Sequence, residues 1–502
     1  MKKICFILMV LMIIIFMVSC SSDSANNTDN TNNEDSANNT DDSAQDSQNG
    51  DAVTENTTEN PRFAIKEEIP EVDFNGIDYK IIYPLWSMYI DYYFAEEEIG
   101  DKLHDAVYRR TKNAEERLNI KIIPVTDTYD TYHTNVSKSV KSGSDDYQMI
   151  LTHCIQGITA LTTQGLAQDW NKIPVVDFSK PWWNQRMNQT MSIDKILLTA
   201  VSDFMIFDPN VIYFNKQLGK DLDLGDIYQI VRDGKWTWSK LTELAKSASK
   251  DLNGDGVFDT EDQYGFITNL QWMMNGTVQS CDMYFTKIGD EGYPVNNLNT
   301  ERFGNMMNML YELLYVGNQS FVSTWDPNSV TGNESEIPMS SGRVLFHVDP
   351  LSAGKRYRTY DVEFGILPFP KYDEAQKEYL SLSWNGFMII PATADPELAG
   401  VVSEVLAAES HRLTVPAYYD VLLTSKLARD EESTEMIDIL YKGAVYDYGL
   451  NFGDWEAISF AVDRILLTKK TPDYVSFMEK NENVFNKKMK STYDKIVEIY
   501  GS

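Results

Sequence analysis

The sequence predicts an α/β protein built on a mainly parallel sheet, followed by a mostly helical C-terminal third. Two observations carry this expectation. Short apolar, β-branched runs alternate with longer stretches of helical period from residue 78 onward, and connections of that length imply right-handed βαβ crossovers. The body after residue 60 also holds the chain's Trp and all of its 17 Pro. Its roughly 440 residues suffice for two or three domains.

Asp78–Leu85 (DYKIIYPL) reads as the first strand. Ala95–Leu118 reads as an amphipathic helix with Ile99, Leu103, Val107, Ala114 and Leu118 along one stripe. Ile120–Val125 is a second strand, Thr126–Gly143 a polar helix, and Tyr147–Thr152 a third strand running into a helix over Ile155–Gln164. Ligands of such sheets sit beyond the carboxyl ends of the strands. That rule places Thr152–Gln156 at the edge of a site. A second α/β region starts near Val211–Phe214 and continues through Val344–Val348 and Val362–Leu367. The last helix is expected from Thr471-Pro472, a capping residue followed by proline at the first helical position. Its apolar face would carry Tyr474, Phe477, Phe485, Met489 and Ile496.

Ahead of this body, Lys2 and Lys3 precede an apolar run from Ile4 to Val18 that ends in Ser19-Cys20. A basic start, a short apolar core and a small residue before the cut describe an export signal. A cysteine just after the cut marks a bacterial lipoprotein, so residues 1–20 are expected to be removed or acylated at Cys20, leaving an extracellular, membrane-tethered protein. Residues 21–60 are almost wholly Asn, Asp, Ser, Thr, Glu and Gln. They bury too little apolar surface to offset ordering and are expected to be a solvated tether.

The net charge of −31 excludes a nucleic-acid partner, which needs a basic face, and argues against adhesion to anionic lipid except through the anchor. Beyond Cys5 and Cys20 only Cys154 and Cys281 remain. A disulfide between them is open, but two buried thiols are the simpler expectation.

The most specific local motif is Asp251–Asp262. Oxygen side chains fall at Asp251, Asn253, Asp255, Asp259 and Asp262, with Gly256 at the sharp turn and Val257 offering its carbonyl. This is the spacing of a twelve-residue calcium loop, since a hard cation takes six to eight oxygens. Asp at the last position has a shorter reach than the usual Glu, and the ion would be structural. Tryptophans beside hydrogen-bonding residues form a second signal: Trp182, Trp272, Trp384 and Trp455. Ring faces next to amides and carboxylates suit a carbohydrate, although any polar organic solute would need a similar pocket. Packing is the commoner use of any single tryptophan, and Trp236 and Trp238 are expected to staple the helix that follows them. No nucleophile elbow, zinc-protease, phosphate-loop or dinucleotide motif is present, and the five histidines lack ligand spacing.

Several stretches in shared order resemble the extracellular solute-binding proteins of family 1, the lipoprotein receptors of ABC importers in Gram-positive bacteria. They are Gly165–Trp170 (GLAQDW), Asp177–Asn184 (DFSKPWWN), Ile212–Lys216 (IYFNK), Gly234–Trp238 (GKWTW), the calcium-like loop followed by Gln263–Phe266 (QYGF), and Thr414–Tyr419 (TVPAYY) with Arg429–Ser433 (RDEES). The resemblance covers nearly all of residues 75–500 and implies a two-lobed, hinge-linked, periplasmic-binding-protein-like (type II) fold similar to maltose-binding protein. Lobe 1 would take 70–203 and 367–412, and lobe 2 would take 204–366 and 413–502. The implied site draws His153, Gln156, Trp182, Trp384 and Asn385 from lobe 1 and Gln271, Trp272, Asp349 and Trp455 from lobe 2. Asp203, at the first crossover, would contact ligand or lock the hinge. The implied function is a monomeric, non-enzymatic receptor that binds a carbohydrate, an oligosaccharide by preference, and delivers it to the permease subunits of an ABC transporter. The alternatives are a cell-surface carbohydrate-active enzyme, a sensory lipoprotein, and a receptor for a polyamine or peptide.

Overall fold

Thirteen strands account for the sheet structure in a computed structural model that describes residues 61–85, 90–205, 207–268, 271–323, 336–357, 359–423, 431–454 and 456–501. The leader, Cys20 and the polar stretch to residue 60 lie outside the described residues. In chain order the strands are β1 (Ile77–Pro84), β2 (Ile120–Asp127), β3 (Met149–Leu151), β4 (Asn210–Asn215), β5 (Tyr264–Thr268), β6 (Thr286–Ile288), β7 (Pro294–Asn296), β8 (Ser320–Val322), β9 (Val344–Pro350), β10 (Phe364–Leu367), β11 (Ser381–Leu382), β12 (Met388–Ile389) and β13 (Ala444–Val445). The helices that position the site are α1 (Lys102–Leu118), α2 (Trp238–Ala248), α3 (Pro396–Glu409), α4 (Val415–Leu423), α5 (Glu431–Lys442) and α6 (Val475–Tyr500). None of the helices is long and apolar enough to cross a membrane, among the described residues.

The first sheet has the order β12-β3-β1-β2. β1 pairs in parallel with β2 and β3, and β12 returns antiparallel on β3 with Met388 opposite Leu151. β1 and β3 are buried on both faces at their centres, as a parallel sheet covered by helices requires. Pro124 sits in β2 at the sheet edge, where its missing N–H costs no ladder bond. The second sheet is mixed, with the order β10-β4-β9-β5-β8: β4 is antiparallel to β9 and β10, and β5 is parallel to β8 and β9. α2 lies directly on β5, where a Cβ at Gly265 would meet the Ala245 carbonyl oxygen at 2.0 Å. Only glycine permits that approach. The opposite face of the sheet, with Val211, Tyr213 and Ile267, shares an apolar cluster with Tyr418 of α4, Ile437 of α5 and Leu103 and Val107 of α1.

Several predicted bounds shift, each for a local reason. α1 begins at Lys102 rather than Ala95, because Gly100 takes a left-handed φ of 82° and Asp101 caps the N–H groups of Leu103 and His104. Ile99 therefore lies outside the helix and is 62% exposed. The polar helix spans Tyr132–Lys141, and the helix after β3 covers only Ile158–Thr162. α6 starts at Val475, with the Asp473 carboxylate accepting the Ser476 N–H at 3.2 Å, so Thr471-Pro472 is not its cap. The buried face of α6 is as predicted in Phe477, Phe485, Met489 and Ile496. Trp236 and Trp238 are buried packing residues that donate to the Pro368 carbonyl and the Ser280 hydroxyl. Cys154 and Cys281 are buried free thiols.

The chain passes from the first sheet to the second between Ala200, bridged to Met388, and the start of β4. It crosses again around a π-helical stretch, Ser410–Thr414, between α3 and α4. The segment leading into β1 is fastened beside that stretch. Arg62 donates to the His411 carbonyl at 3.3 Å, Arg412 donates to the Ile65 carbonyl at 2.9 Å, and Glu67 is buried between Arg117 and Arg412. The last helix touches both halves: Asn486 accepts from Asn296 N–H, and the Tyr500 hydroxyl accepts from Ala167 N–H.

Candidate functional site

β12 runs antiparallel to β3, so the residues after β3 and those before β12 meet at one edge of the first sheet. Thr152 N–H donates to the Phe387 carbonyl at 2.9 Å and Phe387 N–H to the Thr152 hydroxyl at 3.1 Å. This packing sets Gly386, just after Trp384 and Asn385, against Thr152 and the main chain of His153. Trp384 is half-buried against the core, with an indole Nε1 that finds no partner. Asn385 is buried: its side-chain oxygen takes the Ser383 hydroxyl, and its carbonyl accepts the Tyr446 hydroxyl at 2.6 Å. Gln156 is half-buried and its carbonyl accepts the Tyr132 hydroxyl.

The main-chain N–H groups of Ile155 and Gln156 point at His153 Nδ1 at 3.2 and 3.4 Å, so the neutral ring carries its proton on Nε2. Tyr129 packs edge-on at 4.9 Å between centroids, a neighbour that sequence reasoning missed. Burial pushes the His153 pKa down to about 3 from its ordinary 6.5. The unfolded chain takes up this proton near pH 6.5 and the native protein only near pH 3. The neutral ring's contribution to stability is therefore complete above pH 6.5 and lost as pH falls toward 3, by up to about 1.4 kcal/mol per pH unit. The melting temperature is expected to fall less steeply between pH 7 and pH 4 in His153→Asn than in the unaltered protein. Parallel slopes in a pH series of thermal melts would contradict this assignment.

In the second sheet β4 runs opposite to β5 and β9, so its first residue, Asn210, lies at the carboxyl end of those strands. The Pro209–Ser383 bridge joins this end to the residue after β11, on the stretch that leads to β12 of the first sheet. A Cβ on Gly276 would meet Asn210 Nδ2 at 3.3 Å and Leu382 Cβ at 3.6 Å, so the turn after β5 sits at the same junction. Residues 446–463 span it. Asn451 donates to the Cys154 carbonyl at 2.7 Å, Phe452 accepts the Thr159 hydroxyl, and Asp463 N–H meets Asn275 Oδ1 at 3.4 Å. Burial pushes the Asp463 carboxyl up, with Arg464 acting against it.

Three predicted site residues are placed elsewhere. Trp182 is fully buried and donates to Glu404 at 2.8 Å, and Trp183 holds the other carboxylate oxygen at 2.9 Å, so Trp182 offers no face to a solute. Asp349 is buried on the face of the second sheet that packs on the helices, where it takes Arg356 and the Tyr357 hydroxyl. Asp203 sits between the crossovers. Oδ2 lies 2.6 Å from His411 Nδ1 and Oδ1 accepts the Tyr441 hydroxyl at 2.6 Å, beside a cavity of about 20 Å³ that suits one water. Both of its carboxylate oxygens are engaged within the protein. Gln271 and Trp272 lie in a 3₁₀ turn over Gln271–Gly276 whose first side chains are outside the described residues, as is Trp455.

The Asp251–Asp262 loop turns as its spacing predicts, with Gly254 and Gly256 left-handed at φ 75° and 78°. Asp251 accepts the N–H groups of Gly254 and Gly256, and Asn253 accepts that of Asp255. Asp255 accepts from Val257, Asp259 from Glu261, and buried Asp262 from Leu252 and Asp259. Among the described residues no three His, Cys, Asp or Glu side chains are gathered as a metal centre would gather them. Carboxylate oxygens retain lone pairs beyond these bonds, and a cation would have to draw them inward.

No family model matches the chain, and no curated relative matches it. Solved structures share its fold. A cyclo/maltodextrin-binding protein complexed with maltotetraose is 15% identical, with 86% of this chain and 99% of that chain covered at a TM-score of 0.54. A galacto-N-biose-/lacto-N-biose I-binding protein of an ABC transporter from Bifidobacterium longum is 12% identical, with 85% and 98% covered at 0.54. An ABC transporter solute-binding protein from Thermotoga lettingae, bound with α-D-tagatose, is 15% identical, with 82% and 100% covered at 0.51. The chain has the two-lobed α/β fold of ABC solute-binding proteins.

Proposed function

We propose that this chain is an extracellular, lipid-anchored receptor that closes two lobes on a carbohydrate and presents it to an ABC importer, with no bond in the solute made or broken. One observation supports the reading. The Pro209–Ser383 bridge ties the carboxyl end of the second sheet to the stretch that leads from β11 through half-buried Trp384 to β12, and Gly386 of that stretch packs on Thr152 at the carboxyl end of the first sheet, next to neutral His153. Gln156 and Asn385 complete the first-lobe edge, and Gln271, Trp272 and Trp455 are proposed for the opposite wall from their place in the chain. A solute touching both lobes binds the closed arrangement better, and that difference shifts the hinge. The lobes follow the bounds 70–203 with 367–412 and 204–366 with 413–502. Acylation at Cys20 would keep the receptor near the permease and raise its effective concentration there.

The test is a thermal-shift and calorimetric panel of maltotetraose, lacto-N-biose, cycloalternan and α-D-tagatose, with spermidine as the cationic control. A sugar at a hundredfold excess over its Kd should stabilise the protein by about 2.7 kcal/mol. A response to spermidine and to none of the sugars would replace this reading with that of a polyamine receptor.

The oxygen spacing of Asp251, Asn253, Asp255, Val257, Asp259 and Asp262 supports a structural calcium ion in that loop. Calcium is expected to raise the melting temperature of the unaltered protein and not that of Asp251→Ala. A rise that survives the substitution would put the ion elsewhere.

A further inference from the structure

At the carboxyl end of the second sheet, four polar side chains are left unused by the fold. Thr268 Oγ1, Asn275 Nδ2, Ser323 Oγ and Asp463 Oδ1 are buried without a hydrogen-bond partner, in residues no more than 6% exposed. Buried polar atoms of this kind cost free energy and are uncommon in a folded protein. These four fall into two linked pairs, Thr268 with Ser323 and Asn275 with Asp463, and the turn after β5 carries the chain from the first pair toward the second. Thr268 ends β5 and Ser323 follows β8, the neighbouring strand, with Ser323 N–H donating to the Thr268 carbonyl at 3.1 Å. Asn275 lies in the turn after β5, and its side-chain oxygen takes the main-chain N–H of Asp463. Next to the Pro209–Ser383 bridge the Trp384 Nε1 is another unpartnered donor.

We propose that Thr268, Asn275, Ser323 and Asp463 form the second-lobe hydrogen-bonding floor for an uncharged, hydroxyl-dense ring such as a pyranose. This rests on the receptor reading above and narrows its solute. The free groups are mixed: the Asp463 oxygen accepts, the Asn275 amide nitrogen donates, and the two hydroxyls do either. A sugar hydroxyl both donates and accepts, so adjacent hydroxyls can satisfy every member of the set. An ammonium only donates and would leave the Asn275 nitrogen facing another donor. A carboxylate or phosphate only accepts and would face Asp463. The mixed set therefore selects a neutral polyol over either charged solute, and a site that pairs its buried polar groups with substrate hydroxyls rejects analogues lacking them.

The experiment is calorimetric titration of the protein and of Asp463→Asn, Thr268→Val and Ser323→Ala with maltotetraose, lacto-N-biose and α-D-tagatose, beside thermal melts without sugar. Asp463→Asn is expected to weaken the best-bound sugar by about tenfold or more, and Thr268→Val and Ser323→Ala by about threefold each. The sugar-free melting temperature should be unchanged or raised, because the hydroxyl removed had no partner to lose. That combination separates ligand contact from a structural role. Affinities within twofold of the unaltered protein, or losses accompanied by a matching fall in sugar-free stability, would overturn the proposal while leaving the receptor reading in place. Failure of the unaltered protein to bind any of the three sugars would remove both.

Discussion

Trp384→Ala is expected to weaken sugar binding by more than about tenfold, or about 1.4 kcal/mol. The residue sits between β11 and β12, half-buried, where the edge of the first sheet meets the start of the second. An aromatic ring that is not fully covered suits the C–H face of a sugar. Its Nε1 is buried without a partner, so the free protein gives up packing on truncation but no hydrogen bond. Trp384→Phe, which keeps a ring, should retain most of the affinity. Calorimetry on the two variants separates the ring from the N–H, and equal affinity for Trp384→Ala and the unaltered protein would remove this side chain from the site.

Gly386→Ala is expected to destabilise the protein by an amount of order 4 kcal/mol, an exceptional loss for one methyl group. The added Cβ would fall 1.5 Å from the Thr152 carbonyl oxygen and 2.6 Å from its carbon. Both atoms are main chain, so no rotamer change relieves the clash. β3 and the approach to β12 must separate, and the Thr152–Phe387 hydrogen bonds go with them. The same movement shifts the loop that carries His153 and the stretch that carries Trp384, so binding should be lost together with stability. A denaturant melt within about 1 kcal/mol of the unaltered protein would show that this strand end can yield.

The order of strands and helices was legible in the sequence because it depends on local period, and the first three strands lie within two residues of their expected bounds. The place of His153 and Gln156 directly after β3 was legible too, and loops in that place line sites in α/β sheets. Trp182 and Asp203 were ambiguous in the sequence for a common reason. A tryptophan or carboxylate that suits a solute equally suits a distant partner. Those partners are Glu404, 222 residues on from Trp182, and His411, 208 residues on from Asp203. Asp349 faced a subtler ambiguity: its partners Arg356 and Tyr357 are near in sequence, but which face of β9 turns to the helices is set by register with β4 and β5. Thr268, Asn275, Ser323 and Asp463 gave no signal, because each is an ordinary polar residue until the sheet end gathers them. The calcium-like loop had the reverse property, a sharp motif whose fold is kept by its own backbone N–H groups.

The clasp of Arg62, Ile65 and Glu67 on the stretch that carries His411 and Arg412 has a mechanical consequence. The described chain therefore begins at a crossover between the two sheets and not on either of them. Under the proposed acylation at Cys20, a pull on the anchor would be passed to that crossover first.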